Sequence, residues 1–238
     1  MKKNVIVTGG SKGIGAQIVR ELAELGDNVI LCYNNSEQEA KQISNQYSNV
    51  DTFKVDVTKR DEVKKLMEYC VEKYGTIDVL INNAGISQIK MFSDITDEDW
   101  NKIIQTNLTS NFYTSQECLK YMVKEKKGCI INISSIWGQT GASCEVAYSV
   151  AKAGLDGLTK SLAKEYGLSN IRINSISPGI INTQMNSKLN AEDIEKIKEE
   201  IPLNKIGETK EISKCVKWLI EDEYTTGQII GINGGWYI

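Results

Sequence analysis

The sequence predicts a doubly wound α/β fold, a seven-stranded parallel sheet with helices on both faces, and three observations carry that prediction. Short β-branched runs alternate with longer amphipathic stretches along the whole chain. A glycine-rich turn directly follows the first run. No Pro- or Gly-rich linker, charge block or fixed-period repeat divides the 238 residues. The strands read, in order, NVIVT at 4–8, NVILCY at 28–33, NVDTFKVD at 49–56, DVLIN at 78–82, CIINIS at 129–134, IRINSIS at 171–177 and QIIGIN at 228–233. Between them, apolar residues three and four apart mark helices, as in QIVRELAEL at 17–25, EVKKLMEYCVEKY at 62–74 and VAKAGLDGLTKSLAKEYGL at 150–168. The span 179–227 has no strand signal. It holds the helical patterns AEDIEKIKEE and TKEISKCVKWLIED, and both prolines of the chain flank its first part. Ligands in such sheets sit beyond the carboxyl ends of the strands, so we expect one domain over 1–238 with a substrate flap at about 183–206.

Composition narrows the function classes. With 41% hydrophobic and 25% charged residues and a net charge of -3, the chain exerts no broad pull on nucleic acid or acidic membranes, whereas small polar substrates stay open. The cysteines at 32, 70, 118, 129, 144 and 215 form no C-x-x-C pair and mostly lie in apolar runs. That suits reduced core thiols better than disulfides or metal ligands, so no metal is expected and a cytoplasmic location is. The apolar run in MKKNVIVTGG is too short for a signal segment, and no later run approaches a membrane span.

The glycine turn TGGSKGIG runs from Thr8 to Gly15. Its spacing of Gly9, Gly13 and Gly15 matches neither G-x-G-x-x-G nor G-x-x-x-x-G-K-[ST]. The physical logic is the same: glycines let backbone approach a ligand, and a helix starting near Ile14 offers free N–H groups and a positive dipole end to a phosphate. The alternative is a ligand-free strand-to-helix turn. If a dinucleotide binds, the end of the second strand lies beside its adenine ribose, where an acid favours NAD. Here stand Asn34, Asn35 and Ser36, and Lys12 in the turn can pair with a 2′-phosphate, so NADP is favoured. The alternative for Lys12 is a solvated surface lysine.

TGGSKGIG, the pair Asp56-Val57, NNAG at 82–85, Asn107 in TNL, Ser135, YSVAK at 148–152 and PGIINT at 178–183 occur in order over almost the whole chain. Together they resemble the short-chain dehydrogenase/reductase family, which implies a Rossmann fold and NADP(H) as cofactor. The tail, IPLNKIGETKEISKCVKWL followed by TGQIIGINGGWYI, is similar to the bacterial 3-oxoacyl-[acyl-carrier-protein] reductases of fatty acid biosynthesis. The implied activity is NADPH-dependent reduction of a ketone to a secondary alcohol. The resemblance assigns cofactor contacts to Gly9, Ser11, Lys12, Gly13, Ile14 and Gly15, to Asn34, Asn35 and Ser36, and to Asp56 and Val57 at the adenine. It adds Asn83, Ala84 and Gly85 against the adenosine half, and Pro178, Gly179, Ile181 and Thr183 over the nicotinamide, where the backbone at 181 and the Thr183 hydroxyl fix the ring face. Lys152 would hold the nicotinamide ribose. Asn107 would bend a helix and hold a water linking Lys152 to solvent. A homotetramer is implied, with the apolar ending GGWYI at an interface.

The residue types make chemical sense on their own. Hydride transfer at a carbonyl carbon requires a proton to move at its oxygen, so the site needs a group that is acid and base by turns. Tyr148 is that candidate. A free phenol has a pKa of about 10, and bringing it to about 7 takes roughly 4 kcal/mol of preferential phenolate stabilisation. Lys152, at i+4 on the same helix face, and a cationic oxidised nicotinamide would contribute. Ser135 ends the fifth strand, where its hydroxyl can hydrogen-bond the substrate oxygen. Strand alternation turns Ser134 the other way. A serine nucleophile of the Ser-His-Asp kind is excluded, because the chain has no histidine and no G-x-S-x-G elbow.

The substrate is less defined. Lys124, Lys126 and Lys127 before the fifth strand are candidates to dock an acidic acyl carrier protein. Ser169-Asn170 before the sixth strand carries no charge, and SQIKMF after NNAGI lacks the Arg-Asp pair more usual in those reductases. Glu145, between Ser135 and Tyr148, would line the substrate pocket and suit a cationic or hydroxyl-rich ketone, or else cap a helix or face solvent. A specific alternative follows, since some proteins of the carrier-reductase kind resemble elongation factor P 5-aminopentanone reductases, which reduce a ketone on an amine-bearing modified lysine. Alcohol, polyol and hydroxysteroid dehydrogenases of the family are further alternatives. So is an NADP-binding redox sensor or scaffold without turnover.

Overall fold

The computed structural model describes residues 2–186 and 190–238. Seven strands, β1 (Asn4–Val7), β2 (Asn28–Tyr33), β3 (Val50–Lys54), β4 (Val79–Asn82), β5 (Gly128–Ile133), β6 (Ile171–Pro178) and β7 (Ile229–Ile232), form one sheet in the order β3-β2-β1-β4-β5-β6-β7. Every neighbouring pair is parallel. The order reverses between β1 and β4, so the connections leave their carboxyl ends in opposite directions and open a crevice there. All the motif-bearing loops, after Val7, Asn82, Ile133 and Pro178, emerge on that edge.

Alternation within each strand supplies two cores. Val5, Val7, Val29, Leu31, Val79, Ile81, Ile131 and Ile133 face the layer containing α1 (Gly13–Glu24), α2 (Glu37–Ser44) and α9 (Thr209–Glu221). Ile6, Ile30, Cys32, Leu80, Ile130 and Ile173 face α3 (Arg60–Tyr74), α5 (Ser110–Glu125) and part of α7 (Val146–Tyr166). Both sheet faces are covered, which is why the strands read as continuous apolar runs. The helices α4 (Asp97–Ile104) and α5 have no counterpart among the helical runs read from the sequence. The helix α5 buries Ser110, Asn111, Thr114, Ser115 and Glu117 before Cys118, Leu119 and Met122, so only the later part of its inward face is apolar.

The remaining helices are α6 (Trp137–Thr140) and α8 (Ala191–Glu200). Of the flap expected at 183–206, residues 187–189 lie outside the described residues. Among the described residues, no helix is long and apolar enough to cross a membrane. Five cysteines are buried and free, and Cys144 is half-buried. One expectation is corrected by the topology. Lys124, Lys126 and Lys127 precede β5, and Lys127 pairs with Asp78 just before β4, so they lie at the amino edge of the sheet, opposite this chain's own crevice.

Candidate active site

The glycine turn is shaped by its brace. Asn83, after β4, donates through Nδ2 to the carbonyls of Thr8 and Gly9 at 3.0 Å each, and the Thr8 hydroxyl accepts from the N–H groups of Asn83 and Ala84. The Asn83 side chain is therefore engaged with the turn. Gly9 has φ +62°, and a Cβ on Gly15 would stand 2.3 Å from the Gly9 carbonyl oxygen, so these two positions exclude larger residues. At the N-terminus of α1, Lys12 provides no side-chain cap, which leaves the first-turn N–H groups directed at the crevice. A cavity of about 590 Å³ opens beside them, lined by Gly9, Asn34, Asn35, Ser36, Asp56, Val57, Ala84 and Gly85, with Thr58, Ile86 and Gln105 added by the fold.

These residues fit a dinucleotide. The cradle admits backbone contact only because Cβ atoms are absent, and the end of β2 presents neutral polar groups where an acid would clash with a phosphate. Lys12 is exposed and ion-paired with Glu39 at 2.8 Å, so the carboxylate competes for whatever anion Lys12 takes. Across the turn, Thr183 stands against Gly13: a Cβ there would lie 3.4 Å from its methyl. Pro178 ends β6, Gly179 donates to the Ile232 carbonyl at 3.0 Å, and Ile181 is buried and bridges to Gly207.

The chemistry-bearing groups converge beyond β5. Ser135 is buried, and its Oγ accepts from the Trp137 N–H at 3.2 Å, which leaves the hydroxyl proton free for another acceptor. Tyr148, in the first turn of α7, has its phenol pushed well above the ordinary range by burial and then by the Glu145 charge, with Ser135 pulling the other way. Lys152 is 4% exposed, donates to the Ile133 carbonyl at 2.7 Å and lies 5.5 Å from the centre of the Tyr148 ring. Burial pulls its ammonium down to about 8 against the support of Asp156. The ammonium thus sits over the ring face, a cation–π placement. Ser134 turns away and donates to the Lys152 carbonyl at 3.5 Å.

Asn107 lies in a π-helical turn, Gln105–Thr109, between α4 and α5. Its fully buried side chain accepts from the Ile86 N–H at 2.8 Å and donates to the Ile86 carbonyl at 2.7 Å. It ties the loop after β4 to the helix pair. Gly85 lies between this amide and Lys152, since a Cβ there would be 3.0 Å from Asn107 Oδ1 and 3.8 Å from Lys152 Nζ.

Glu145 occupies the N-cap position of α7 but makes no side-chain cap. It is half-buried, and burial raises its carboxyl above the usual carboxylate range while hydrogen bonding with the Trp137 side chain pulls it back. Its charge acts on Tyr148. Trp137 packs edge-on against Trp236 at 5.1 Å, and the Trp236 indole N–H donates to Glu200 at 3.3 Å. The chain ending therefore contributes Trp236 to this wall within the chain itself, while Tyr237 and Ile238 are exposed. Sequence reasoning missed Trp137, Trp236 and Asp156. The two tryptophans are in plain sight, but 98 intervening residues give no hint of contact. Asp156, one turn after Lys152 in a helix reading, was the findable one.

The chain is similar to known proteins over nearly its whole length. A family model described as short chain dehydrogenase matches residues 3–194. The chain is 37% identical to the 3-oxoacyl-[acyl-carrier-protein] reductase FabG of Buchnera aphidicola subsp. Baizongia pistaciae, covering 100% of this chain and 98% of the relative. It is 38% identical to the FabG of Thermotoga maritima, covering 98% and 97%. Among solved structures, ElxO with NADP bound superposes with a TM-score of 0.93 at 33% identity, covering 99% of both chains.

Proposed function

The chain belongs to the short-chain dehydrogenase/reductase family, and from that premise we propose that Ser135, Tyr148 and Lys152, backed by Asn107, carry its reaction. The protein is an NADP(H)-dependent oxidoreductase of the 3-oxoacyl-[acyl-carrier-protein] reductase kind, reducing a ketone to a secondary alcohol. The observation that carries the residue assignment is the convergence of one hydroxyl, one phenol and one ammonium beyond β5, beside a glycine cradle on the same edge.

Bound NADPH supplies the hydride that the carbonyl carbon accepts. The carbonyl oxygen takes its proton from Tyr148, whose phenol is held in the protonated form by burial and is therefore an acid ready for reduction. Ser135 donates its free hydroxyl proton in a hydrogen bond to the same oxygen and steadies the charge developing there. Lys152 stands over the ring and stabilises the phenolate that remains. Asn107 holds the loop at Ile86, and with it one wall of the crevice. The contacts that bind the cofactor fall to the Gly9–Gly15 turn, Asn34, Asn35, Ser36, Asp56, Val57, Ala84, Gly85 and the 178–183 segment, with Lys12 toward the 2′-phosphate. Asn83 supports them through the turn.

A carrier-bound 3-oxoacyl thioester is the first substrate reading, with an acyl carrier protein as partner, a homotetramer as assembly, a flap at about 183–206 and a cytoplasmic setting. Glu145 favours a second. A half-buried carboxylate beside two indoles, close enough to act on Tyr148, suits a ketone bearing an ammonium, as in elongation factor P 5-aminopentanone reduction. NADPH oxidation measured side by side with an acetoacetyl thioester and an amino-ketone tests both. A higher kcat/KM for the thioester supports the carrier reading, and the reverse supports the amine. Silence with every ketone despite NADPH binding would return the protein to a sensor or scaffold.

A further inference from the structure

Asp156 lies one turn beyond Lys152 on α7, is buried, and has no part in the steps above. Its Oδ1 has no hydrogen-bond partner among the described residues, and neither does the hydroxyl of Ser177 on β6. A carboxylate in this position is costly to bury unless a cation answers it. Burial raises the Asp156 carboxyl above its ordinary range, opposed first by the Ser134 and Ser175 hydroxyls and then by Lys160 and Lys152. The Ser134 hydroxyl also reaches the Lys152 carbonyl at 3.5 Å and the Ser175 hydroxyl the Asn132 carbonyl at 3.3 Å, both long contacts, although each hydroxyl eases the carboxyl's ionisation. Lys160, the next turn along, is exposed and screened by water. Lys152 is the buried cation, placed at i−4 on the same helix face.

The need is reciprocal. Lys152 meets one carbonyl, that of Ile133, and the amide of Asn107 across Gly85 brings no charge. Tyr148 has its phenol raised by burial, and the Glu145 charge acts on that phenol. We propose that Asp156 is a positioning residue: the counter-charge that keeps Lys152 an ammonium over Tyr148 inside a site that would otherwise strip its proton. The proposal rests on reading Lys152 as the cation that stabilises the Tyr148 phenolate. Burial alone moves Lys152 toward neutrality and the Asp156 charge opposes it, so without Asp156 the ammonium is lost at lower pH.

The test uses Asp156→Asn, which keeps the shape and removes the charge. In cofactor-free protein, the ¹⁵Nζ resonance of Lys152, assigned by its loss in Lys152→Met, should titrate about one pH unit lower than in the wild type. The alkaline limb of kcat/KM for ketone reduction should move down by a similar amount, while Asp156→Glu keeps it near its original place. Thermal stability of Asp156→Asn should hold or rise, because an amide replaces an under-partnered buried carboxylate. An unmoved Lys152 titration and limb in Asp156→Asn would overturn the proposal, as would equal displacement in the Asn and Glu variants. The wild type supplies a check that needs no variant of Asp156: its ¹³Cγ resonance should respond at the midpoint of Lys152, and independence of the two groups also overturns the proposal. Retained turnover in Tyr148→Phe would instead sink the assignment of the site and leave the lysine–aspartate coupling standing.

Discussion

The two sides of the crevice are made of different materials. Around β1, β2 and β3 the cradle consists of backbone, glycines and neutral side chains, and its cation, Lys12, is exposed and paired with Glu39. Around β5 and α7 the site buries Lys152 and Asp156 and half-buries Tyr148 and Glu145, and every one of these groups is shifted from its ordinary pKa. The difference follows from the tasks. A phosphate of fixed charge is held by N–H groups that need no titration, whereas a proton that must leave and return needs groups moved by burial and by each other.

That contrast can be broken by exchanging the demands on the two sides. Tyr148→Phe should have the largest effect, lowering ketone reduction by about 1,000-fold with NADPH affinity unchanged, as read by turnover and by fluorescence titration. Comparable losses in both would mean that the phenol belongs to binding as much as to chemistry. Gly15→Ala should do the opposite, because its Cβ meets the Gly9 carbonyl at 2.3 Å. NADPH affinity should fall roughly 100-fold, and affinity within a few-fold of wild type would show that the cradle yields without cost.

Smaller effects sharpen the comparison. Glu145→Gln should lower the rate ratio of amino-ketone to acetoacetyl thioester by about 10-fold. Burial raises the Glu145 carboxyl, so in the wild type any preference for the amine is present at neutral pH and disappears as pH falls through a value above the usual carboxylate range. A ratio independent of both pH and the substitution returns Glu145 to a structural role. Lys12→Ala should weaken NADPH by about 5-fold and leave NADH alone, a modest change because the lysine is solvated. Equal losses for both cofactors would move the discrimination to Asn34, Asn35 and Ser36.

Much of this was legible beforehand because it is local. Seven apolar runs at strand length announce the sheet, and the loops that follow them hold the glycines, Ser135 and the Tyr148–Lys152 spacing. The helix α5 was not legible, since it turns Ser110, Asn111, Thr114 and Ser115 inward to a polar seam with Asn82 on β4. Lys124, Lys126 and Lys127 were legible as a basic cluster but were placed at the wrong edge. Their position before a parallel strand already assigns them to the amino end.

By itself, the sequence determined the order of elements, the edge of the sheet that carries the motif loops and the residues proposed to move a proton. Those features depend on periodicity and on spacing within a helix or turn. Tertiary structure alone decided that Asn83 braces the glycine turn, that Trp236 returns to meet Trp137, that Glu145 is half-desolvated without capping its helix, and that Asp156 and Lys152 are both buried. Each of these depends on which distant segment excludes water from a side chain, and solvent exclusion belongs to the packed chain as a whole.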